Sequence, residues 1–422
     1  MGTLMREYWM PILPSAELPE PDCAPKRVKL LGEQLVAWRN TNGSVGVMQN
    51  ACPHRGASMF FGRNEEDGLR CVYHGWKFDA EGTCTDMPNE PAESNFKHKI
   101  KATAYPTWEK SGMIWCYMGK QSPAPPIPAM EFNTLPDDWC MEPTMMLEQN
   151  NWVQGLEGDI DTSHIDWLHS RLHLEPINHP NPAIRGFLSH DRAAKLEIVP
   201  TDYGAFYCGK RQWHEGENNY WYRITQWLFP FWTQIAAGDP NRMSNRAWVP
   251  LDDEYTMLYN LPFSPKGPLP PERRKSVQPA TYVGGFVEDG GDPNKRYLFK
   301  ANKANDYMLD RELEKTTLFC GVPFAGNLSD VAMTESMGII YQRDKEHLGT
   351  SDSMVIHVRR SLLKMVKNYM ATGEVPISAR DPKLYQVRSA SIVLPEGEDW
   401  VAATEQARSS VAGVPVSYVI PR

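Results

Sequence analysis

Two short stretches of the chain each carry a cysteine and a histidine close together. Cys52 and His54 are followed, after sixteen intervening residues, by Cys71 and His74. Two thiolates and two imidazoles can bind one tetrahedral zinc ion, or a [2Fe–2S] cluster in which two histidines replace two cysteines on one iron. Zinc fingers usually pair Cys with Cys and His with His along the sequence. Here each stretch contains one Cys and one His. This order favours a [2Fe–2S] cluster over a zinc site, and over the alternative that the four residues are unrelated parts of the core.

A second group of metal-binding residue types lies in the segment LEGDIDTSHIDWLHS. His164 follows Asp161 by about one helical turn, so both side chains would lie on one face of a helix. His169 comes five residues later and can join His164 on one metal only if the turn widens or the helix ends. Two histidines and one carboxylate around iron leave positions open for dioxygen and a substrate. Without context the signal is ambiguous, because two neighbouring histidines can also be polar surface.

The overall composition is typical of a globular protein. The chain has 422 residues, 41% hydrophobic and 23% charged, with a formal net charge of −8. The length predicts about two to three domains, and the acidic balance argues against binding to nucleic acid. We expect no membrane span and no signal peptide, because apolar runs are short and residues 1–10 lack an apolar core. Eight scattered cysteines favour a reducing, cytoplasmic compartment over a disulfide framework.

Short strands and turns are predicted around the first group of candidate ligands. Between residue 26 and about residue 119, β-type runs cover residues 27–31, 34–39, 44–49, 69–71, 76–78 and 113–118. Asn42-Gly43 predicts a type I′ hairpin between two of them, and residues 79–82 predict another turn. Residues 121–128 are rich in proline and are the best linker candidate.

The rest of the chain mixes helices and strands. Helical periodicity covers residues 150–173, strand-like aromatic runs cover 205–210 and 220–231, and residues 266–295 predict a long surface loop. The clearest amphipathic helix covers residues 353–372, with Asp352 as its expected cap.

The segments CPHRGASMFFGR and LRCVYHGWKFDAEGTC resemble the Rieske domain of ring-hydroxylating oxygenases. The resemblance implies an α+β chain in which an N-terminal all-β Rieske [2Fe–2S] domain precedes a helix-grip-like catalytic domain with a large antiparallel sheet. It places an N-terminal segment packing on the catalytic domain at residues 1–25, the Rieske domain at 26–120 and the mononuclear iron domain at 121–422. It also implies that Cys52 and Cys71 bind the buried iron of the cluster, and that His54 and His74 bind the outer iron.

The same family carries an Asp-x-x-His-x-x-x-x-His motif in its catalytic domain, which matches Asp161, His164 and His169. By this resemblance the two histidines bind Fe(II) together with a distant carboxylate. Asp330 is the candidate, with Glu335 as the fallback and a helix N-cap as the alternative role. Relatives commonly have glutamine before this carboxylate, where this chain has Ser329. Asp161 is expected to connect the iron to the Rieske centre of a neighbouring subunit, which implies a homo-oligomer, a trimer or a multiple of it.

The chain is most similar to the phthalate dioxygenase group, which includes phenoxybenzoate dioxygenase and 5,5′-dehydrodivanillate O-demethylase. The resemblance implies an enzyme that oxidises an aromatic acid with O₂ and electrons from a separate reductase, by O-demethylation or by phthalate-type cis-dihydroxylation. The motifs near the iron favour O-demethylation. A substrate carboxylate would need a basic partner, whose guanidinium or ammonium group could pair with it. The candidates are Arg185, Lys210, Arg211, Arg223 and Arg246.

A function of another class is also consistent with the first group of ligands. A Rieske electron carrier or a zinc-binding protein would need the Cys/His residues and no others. The second group, around His164, argues against both alternatives, because neither would use it.

Overall fold

Ten short strands and a small helix form the N-terminal part of the protein. The computed structural model describes residues 2–91, 93–172, 191–214, 216–236, 241–323, 325–411, 416–417 and 419. The first elements are α1 (Gly2–Met5), β1 (Met10–Pro14), β2 (Lys26–Leu30), β3 (Glu33–Arg39), β4 (Val45–Gln49), β5 (Arg63–Glu65), β6 (Gly68–Arg70), β7 (Lys77–Phe78), β8 (Cys84–Asp86), β9 (Thr107–Lys110) and β10 (Met113–Cys116). They form three antiparallel sheets, ordered β2-β3-β4, β5-β6-β7-β8 and β1-β10-β9.

The predicted type I′ hairpin between β3 and β4 is wrong in its turn type. A type I′ turn needs positive φ at both central residues. Gly43 has φ +87°, whereas Asn42 does not have a positive φ. The amide of Gly43 donates to the carbonyl of Asn40 at 2.9 Å, so the turn covers residues 40–43 and begins one residue earlier than the turn over residues 41–44 that the Asn-Gly pair predicts. The loop is longer than two residues, and glycine supplies the left-handed conformation that follows the turn.

One large antiparallel sheet and several helices form the C-terminal part. The elements are β11 (Thr144–Glu148), β12 (Lys195–Thr201), β13 (Gly204–Gln212), β14 (Asn219–Leu228), β15 (Trp232–Gln234), β16 (Met243–Pro250), β17 (Thr256–Phe263) and β18 (Ala390–Pro395), with α2 (Glu131–Thr134), α3 (Trp152–Ile160), α4 (Pro271–Arg274), α5 (Arg311–Thr316), α6 (Leu328–Ser336), α7 (Ser353–Thr372) and α8 (Trp400–Ala403). The strand order is β11-β17-β16-β15-β14-β13-β12, and β18 also pairs with β14. The predicted α+β class with a large antiparallel sheet is therefore confirmed.

The helix α7 has the predicted bounds. Met354, Val358 and Leu362 recur at four-residue spacing and are buried, because this stripe of the helix faces the sheet. Asp352 occupies the N-cap position, but its side chain makes no capping hydrogen bond to the helix. Its carboxylate accepts instead from the amide of Gly349 at 2.7 Å.

Buried apolar side chains form two separate clusters. The smaller cluster surrounds Cys52, Cys71 and Cys84 and includes Trp38, Met59, Leu69 and Phe78. The larger cluster joins the sheet of the C-terminal part to the N-terminal residues and to one side of β2–β4. The N-terminal segment contacts both parts of the protein, because β1 pairs with β10 and the carboxylate of Glu7 accepts from the hydroxyl of Tyr369 on α7. The domain boundaries at residues 25 and 120 therefore stay predictions. Among the helices that the structure describes, none has the length and apolarity needed to cross a membrane.

Candidate metal centres

Two loops of matching geometry present the first four candidate ligands. The amide of Gly56 donates to the carbonyl of Cys52, and the amide of Gly75 donates to the carbonyl of Cys71, both at 2.9 Å. Both glycines have positive φ, 77° and 81°, a conformation that glycine adopts without steric cost. The two tight loops leave the cysteines buried in the small core and turn the histidines towards the surface.

The four side chains meet as a cysteine pair and a histidine pair. The Nδ1 atoms of His54 and His74 lie 3.0 Å apart, and the ring centroids are 4.4 Å apart. Burial, with a smaller contribution from the neighbouring Cys71 thiol, raises the pKa of Cys52 to about 11. The pKa of His74 is lowered by partial desolvation and by the positive charges of His54 and Arg55, which favours the neutral, metal-binding imidazole.

The separation of the pairs fits a two-iron cluster better than a single zinc ion. A tetrahedral zinc site with bonds of about 2.0–2.3 Å would hold all its ligand atoms within roughly 4 Å of one another. Within the described part of the chain, a set of three such ligand atoms within 4.8 Å of one another occurs at His164, His169 and Asp330 alone, not among the Cys/His residues. A cluster held by two thiolates on one iron and two imidazoles on the other needs this more open arrangement.

The segment with the second group of ligands leaves the helical path at Asp161. The predicted helix over residues 150–173 is too long, since α3 ends at Ile160 and His164–Asp166 form a separate 3₁₀ turn. The carboxylate of Asp161 accepts from the amide of Ser163 at 2.6 Å. Such a local side-chain bond competes with the helical hydrogen bonds and ends the helix. The loss of helix, one of the two expected solutions, lets His169 turn back towards His164.

Asp330 completes a compact set with the two histidines. One oxygen of Asp330, Oδ1, lies 3.2 Å from Nε2 of His164 and 3.0 Å from Nε2 of His169. The centroids of the two imidazole rings are 5.0 Å apart. Two imidazoles and one carboxylate on one side of a small volume match the donor set of a non-heme Fe(II) site. The residues present therefore fit the iron that the sequence predicts.

The alternative roles for the carboxylate position are not supported by the contacts. Asp330 is the third residue of α6, whose N-cap is Asn327, so Asp330 is not the cap. Glu335 lies outside the set, because its carboxylate accepts from the amide of Gln149 and from the hydroxyl of Tyr307, both at 2.7 Å. The Ser329 hydroxyl, which stands where relatives commonly have glutamine, lies 3.5 Å from Nδ1 of His169.

Opposite charges dominate the electrostatics of this centre. Burial would lower the pKa of His164, but hydrogen bonds to Asp161 and Asp330 outweigh burial and raise it to about 9. Burial would raise the pKa of Asp330, yet the charges of His169 and His164 hold it well below its usual range. The pKa of Asp161 is likewise lowered, because its contact with His164 outweighs burial. The Oδ2 atom of Asp161 lies 3.5 Å from Nδ1 of His164, so Asp161 orients this ring within the same chain.

Arg211 and Arg246, which are among the candidate substrate-binding residues, form ion pairs with acids of the chain. Arg211 is fully buried and donates from Nη2 to Oδ2 of Asp166 at 2.6 Å and to the carbonyl of Thr162 at 2.8 Å. Arg246 pairs with Asp159 on α3. Both arginines therefore hold the segment around the iron site on the sheet, a role that the sequence pattern did not reveal. Nothing in the spacing of Asp159 or Asp166 distinguishes them from surface acids.

The remaining three candidates differ in their surroundings. Arg223 is buried on β14, and its Nη1 lies 3.4 Å from the hydroxyl of Thr162, next to Asp161. The ammonium group of Lys210 lies over the rings of Tyr220 and Tyr222, 4.3 Å and 5.5 Å from their centroids. Arg185 lies outside the described residues.

Asp166→Asn should destabilise the protein and loosen the metal-binding segment. Asparagine keeps the shape of the side chain but leaves the buried guanidinium of Arg211 without a counter-charge, and arginine cannot deprotonate to compensate. Breaking a buried pair from one side costs about 3–5 kcal/mol. A thermal melt followed by circular dichroism should show a lower unfolding temperature, whereas the exposed Asp253→Asn should melt like the native protein. An unchanged melt would mean that the pair contributes little.

Comparison with known proteins assigns both parts of the chain. The family model described as "Rieske [2Fe-2S] domain" matches residues 8–106, and that described as "LigXa C-terminal domain like" matches residues 116–415. The 3-chlorobenzoate-3,4-dioxygenase oxygenase subunit of Comamonas testosteroni is 36% identical, covering 96% of this chain and 94% of the relative. The phthalate 4,5-dioxygenase oxygenase subunit of Pseudomonas putida is 35% identical, covering 90% and 87%. The 5,5'-dehydrodivanillate O-demethylase oxygenase subunit of Sphingobium sp. is 29% identical, covering 91% and 81%.

Solved structures share the fold at low sequence identity. Dicamba monooxygenase bound to 3,6-dichlorosalicylic acid aligns with a TM-score of 0.58 and 17% identity, covering 88% of this chain and 99% of the other. The oxygenase of carbazole 1,9a-dioxygenase, in complex with a ferredoxin, aligns with a TM-score of 0.53 and 22% identity, covering 84% and 87%.

Proposed function

This chain belongs to the Rieske oxygenases with a LigXa-like C-terminal domain, and from that premise we propose that it oxidises an aromatic acid as the oxygenase component of a multicomponent system. Both relatives are named oxygenase subunits, and the carbazole 1,9a-dioxygenase oxygenase was solved in complex with a ferredoxin. The chain is an oxidoreductase that uses a [2Fe–2S] cluster and Fe(II). The observation that carries the proposal is the presence, in one chain, of the Cys/His tetrad and of the set formed by His164, His169 and Asp330. An electron carrier or a structural zinc protein would have no use for the second set.

The two centres have distinct tasks in this proposal. When bound, the cluster supplies electrons one at a time and the mononuclear iron provides open positions for dioxygen and substrate. The residues of the chain orient both groups. Asp161 fixes the His164 ring, and the Arg211–Asp166 pair anchors the intervening turn to β13.

We also propose a homotrimer, or a multiple of it, in which Asp161 of one subunit approaches a Rieske histidine of the next. Two features support this arrangement. The Asp161 side chain is 29% exposed, so a neighbouring subunit can reach it. Val72 and Tyr73, in the loop that carries His74, are each 58% exposed and offer an apolar contact surface. Sedimentation analysis of the purified protein tests the trimer. The cytoplasmic location stays part of the proposal, supported by the eight described cysteines, none of which is paired in a disulfide bond.

The type of oxidation can be read from the products. The 29% identity to the 5,5'-dehydrodivanillate O-demethylase oxygenase subunit supports O-demethylation, whereas the higher identities to the 3-chlorobenzoate and phthalate dioxygenases support ring dihydroxylation. Methoxylated and unsubstituted aromatic acids should be screened with a surrogate reductase, following oxygen uptake and product mass. A demethylase releases formaldehyde in step with the oxygen consumed, and a dihydroxylase yields a cis-diol. Oxygen uptake coupled to no aromatic acid would contradict the proposed substrate class.

Arg223→Met should raise KM for the acid substrate about ten- to a hundredfold. A charge-assisted hydrogen bond to a carboxylate is worth about 1.5–3 kcal/mol, which corresponds to that range. We select Arg223 because it is buried on β14 and its guanidinium lies beside Thr162 in the metal-binding segment. KM for the neutral amide of the same substrate should change little.

Lys210→Met is the matched control, since this ammonium group lies over tyrosine rings and should not set the preference for acids. If the ratio of KM for the acid to KM for the amide is unchanged in Arg223→Met, Arg223 does not bind the substrate carboxylate. If this ratio stays at its native value after each of the five basic candidates is neutralised, the assignment of an aromatic acid as substrate is wrong.

A further inference from the structure

A basic segment lies on the surface of the Rieske part, at residues 96–101 with the sequence FKHKIK. We call these residues the basic segment. It contains three lysines and no acid, in a chain whose net charge is −8. Within the residues that the structure describes, none of these lysines has a carboxylate within 4.0 Å. Lys97 donates to the carbonyl of Thr85 at 3.3 Å, so its charge is held in place without being neutralised.

The aromatic residue of this segment connects the surface to the cluster ligands. Phe96 is 41% exposed and contacts the buried ring of Trp76 edge to face, with centroids 6.1 Å apart. The Trp76 ring in turn stacks on the imidazole of His54, with centroids 4.4 Å apart and an interplanar angle of 18°. The indole nitrogen of Trp76 donates to Asn89 at 2.7 Å, which fixes the ring. A continuous line of ring contacts therefore runs from the solvent to a candidate ligand of the outer iron.

We propose that the basic segment is the docking site for the protein that delivers electrons, and that this partner presents an acidic face around its redox centre. The proposal rests on the proposed function and adds to it the position and the charge of the electron-donor contact. In each encounter the reduced donor loses one electron and the oxidised cluster gains it, and no covalent bond changes. Because electron transfer slows steeply with distance, a donor must bind close to the outer iron. Unpaired positive charge at that place attracts and orients an acidic partner.

The basic segment is distinct from the apolar loop that we assign to the subunit contact. Val72 and Tyr73 lie in the loop of His74, whereas Phe96 reaches the centre from the side of His54 through Trp76. The two ligand histidines thus have different exposed surroundings. Val72, Tyr73 and the single charge of Arg55 lie beside His74, whereas the three lysines of the basic segment lie on the side of His54. Charge complementarity favours an acidic redox protein on the second.

The test replaces the three lysines by glutamine in the complete protein, as K97Q/K99Q/K101Q. The control K345Q/K364Q/K367Q removes the same net charge from exposed positions around α7, where the structure gives these lysines no ion pair among the described residues. The donor probe is a reduced plant-type [2Fe–2S] ferredoxin, mixed with each oxidised protein under anaerobic conditions in a stopped-flow instrument. Calorimetry with oxidised ferredoxin measures binding separately from electron transfer.

We expect the second-order rate constant of the triple variant to fall about tenfold or more at low ionic strength, with a comparable loss of affinity. The difference should shrink as salt screens the charges. The control should stay within about twofold of the native protein. The visible spectrum, the midpoint potential and full reduction by dithionite should be the same in all three proteins, because the cluster itself is unaltered.

Phe96→Leu separates docking from transfer. Leucine keeps the apolar volume and all three lysines, so binding should be unchanged, while the limiting rate at saturating ferredoxin should fall several-fold because the ring contact to Trp76 is lost.

Three results would overturn the docking site. One is a lysine variant that matches the control in rate, affinity and salt dependence. Another is a change in the sedimentation mass of that variant, which would assign the segment to a subunit contact. The third is a native protein that dithionite reduces but ferredoxin neither binds nor reduces. Failure of the proposed function looks different, since it would appear as absent cluster absorption or absent substrate oxidation in the native protein.

Discussion

Replacement of Asp161 by asparagine should reduce turnover by roughly a hundredfold while both metal centres stay loaded. Asparagine preserves the shape of the side chain and can still accept from the amide of Ser163. It loses the negative charge that orients His164 and that would pair with a Rieske histidine of the neighbouring subunit. A charge-assisted hydrogen bond of about 1.5–3 kcal/mol corresponds to a factor of about ten to a hundred. We expect the upper end of this range because the proposed electron pathway between the centres runs through Asp161.

The measurement combines substrate oxidation with iron analysis and a reductive titration. The variant should contain native amounts of iron, and dithionite should reduce its cluster completely. Asp202→Asn, the same change at an exposed position, should behave like the native protein. Near-native turnover of the Asp161 variant would exclude the connecting role. Loss of the mononuclear iron would instead assign to Asp161 the task of holding His164.

Replacement of Cys52 by serine should abolish the visible absorption of the Rieske cluster. Serine has no thiolate, and without it one iron of the cluster lacks a ligand. The site formed by His164, His169 and Asp330 belongs to the other part of the fold and should still bind Fe(II). Iron per chain should therefore fall from about three to about one, and turnover should be lost, since the cluster is the proposed acceptor of electrons from the donor.

Cys84→Ser is a stringent control for this experiment. Cys84 is buried to the same extent in the same small core, with 3% exposure, but it is not one of the candidate ligands. The variant should keep the [2Fe–2S] spectrum even if it is less stable. A cluster spectrum that survives Cys52→Ser would contradict the ligand assignment, and equal loss in both variants would point to damage of the core.

The kinds of ligand, and the order in which they occur, could be predicted from the sequence. Residue chemistry and local spacing are encoded within a few residues, so Cys52, His54, Cys71 and His74 indicate a cluster. His164 and His169 indicate iron only together with the resemblance to Rieske oxygenases, because the two histidines alone are ambiguous. The short strands around the tetrad and the helix α7 follow from hydrophobic periodicity and turn residues, which are also local. The family, the α+β class and the type of enzyme predicted from these patterns are confirmed by the comparisons.

Only the tertiary structure decided which distant groups meet. Asp330 follows His169 by 161 residues, and packing of α6 against α3 is what brings its carboxylate to within 3.0 Å of that histidine. The end of α3 at Ile160 depends on a side-chain hydrogen bond of Asp161 that hydrophobic periodicity does not reveal. Arg211 carries the positive charge that a ligand of a carboxylate substrate needs. The fold buries it against Asp166, where the ion pair stabilises the metal-binding turn. The charge of each residue and the spacing between residues follow from the sequence. The partner of each buried charge depends on long-range packing, because a buried ion is stable only when it is paired inside the fold.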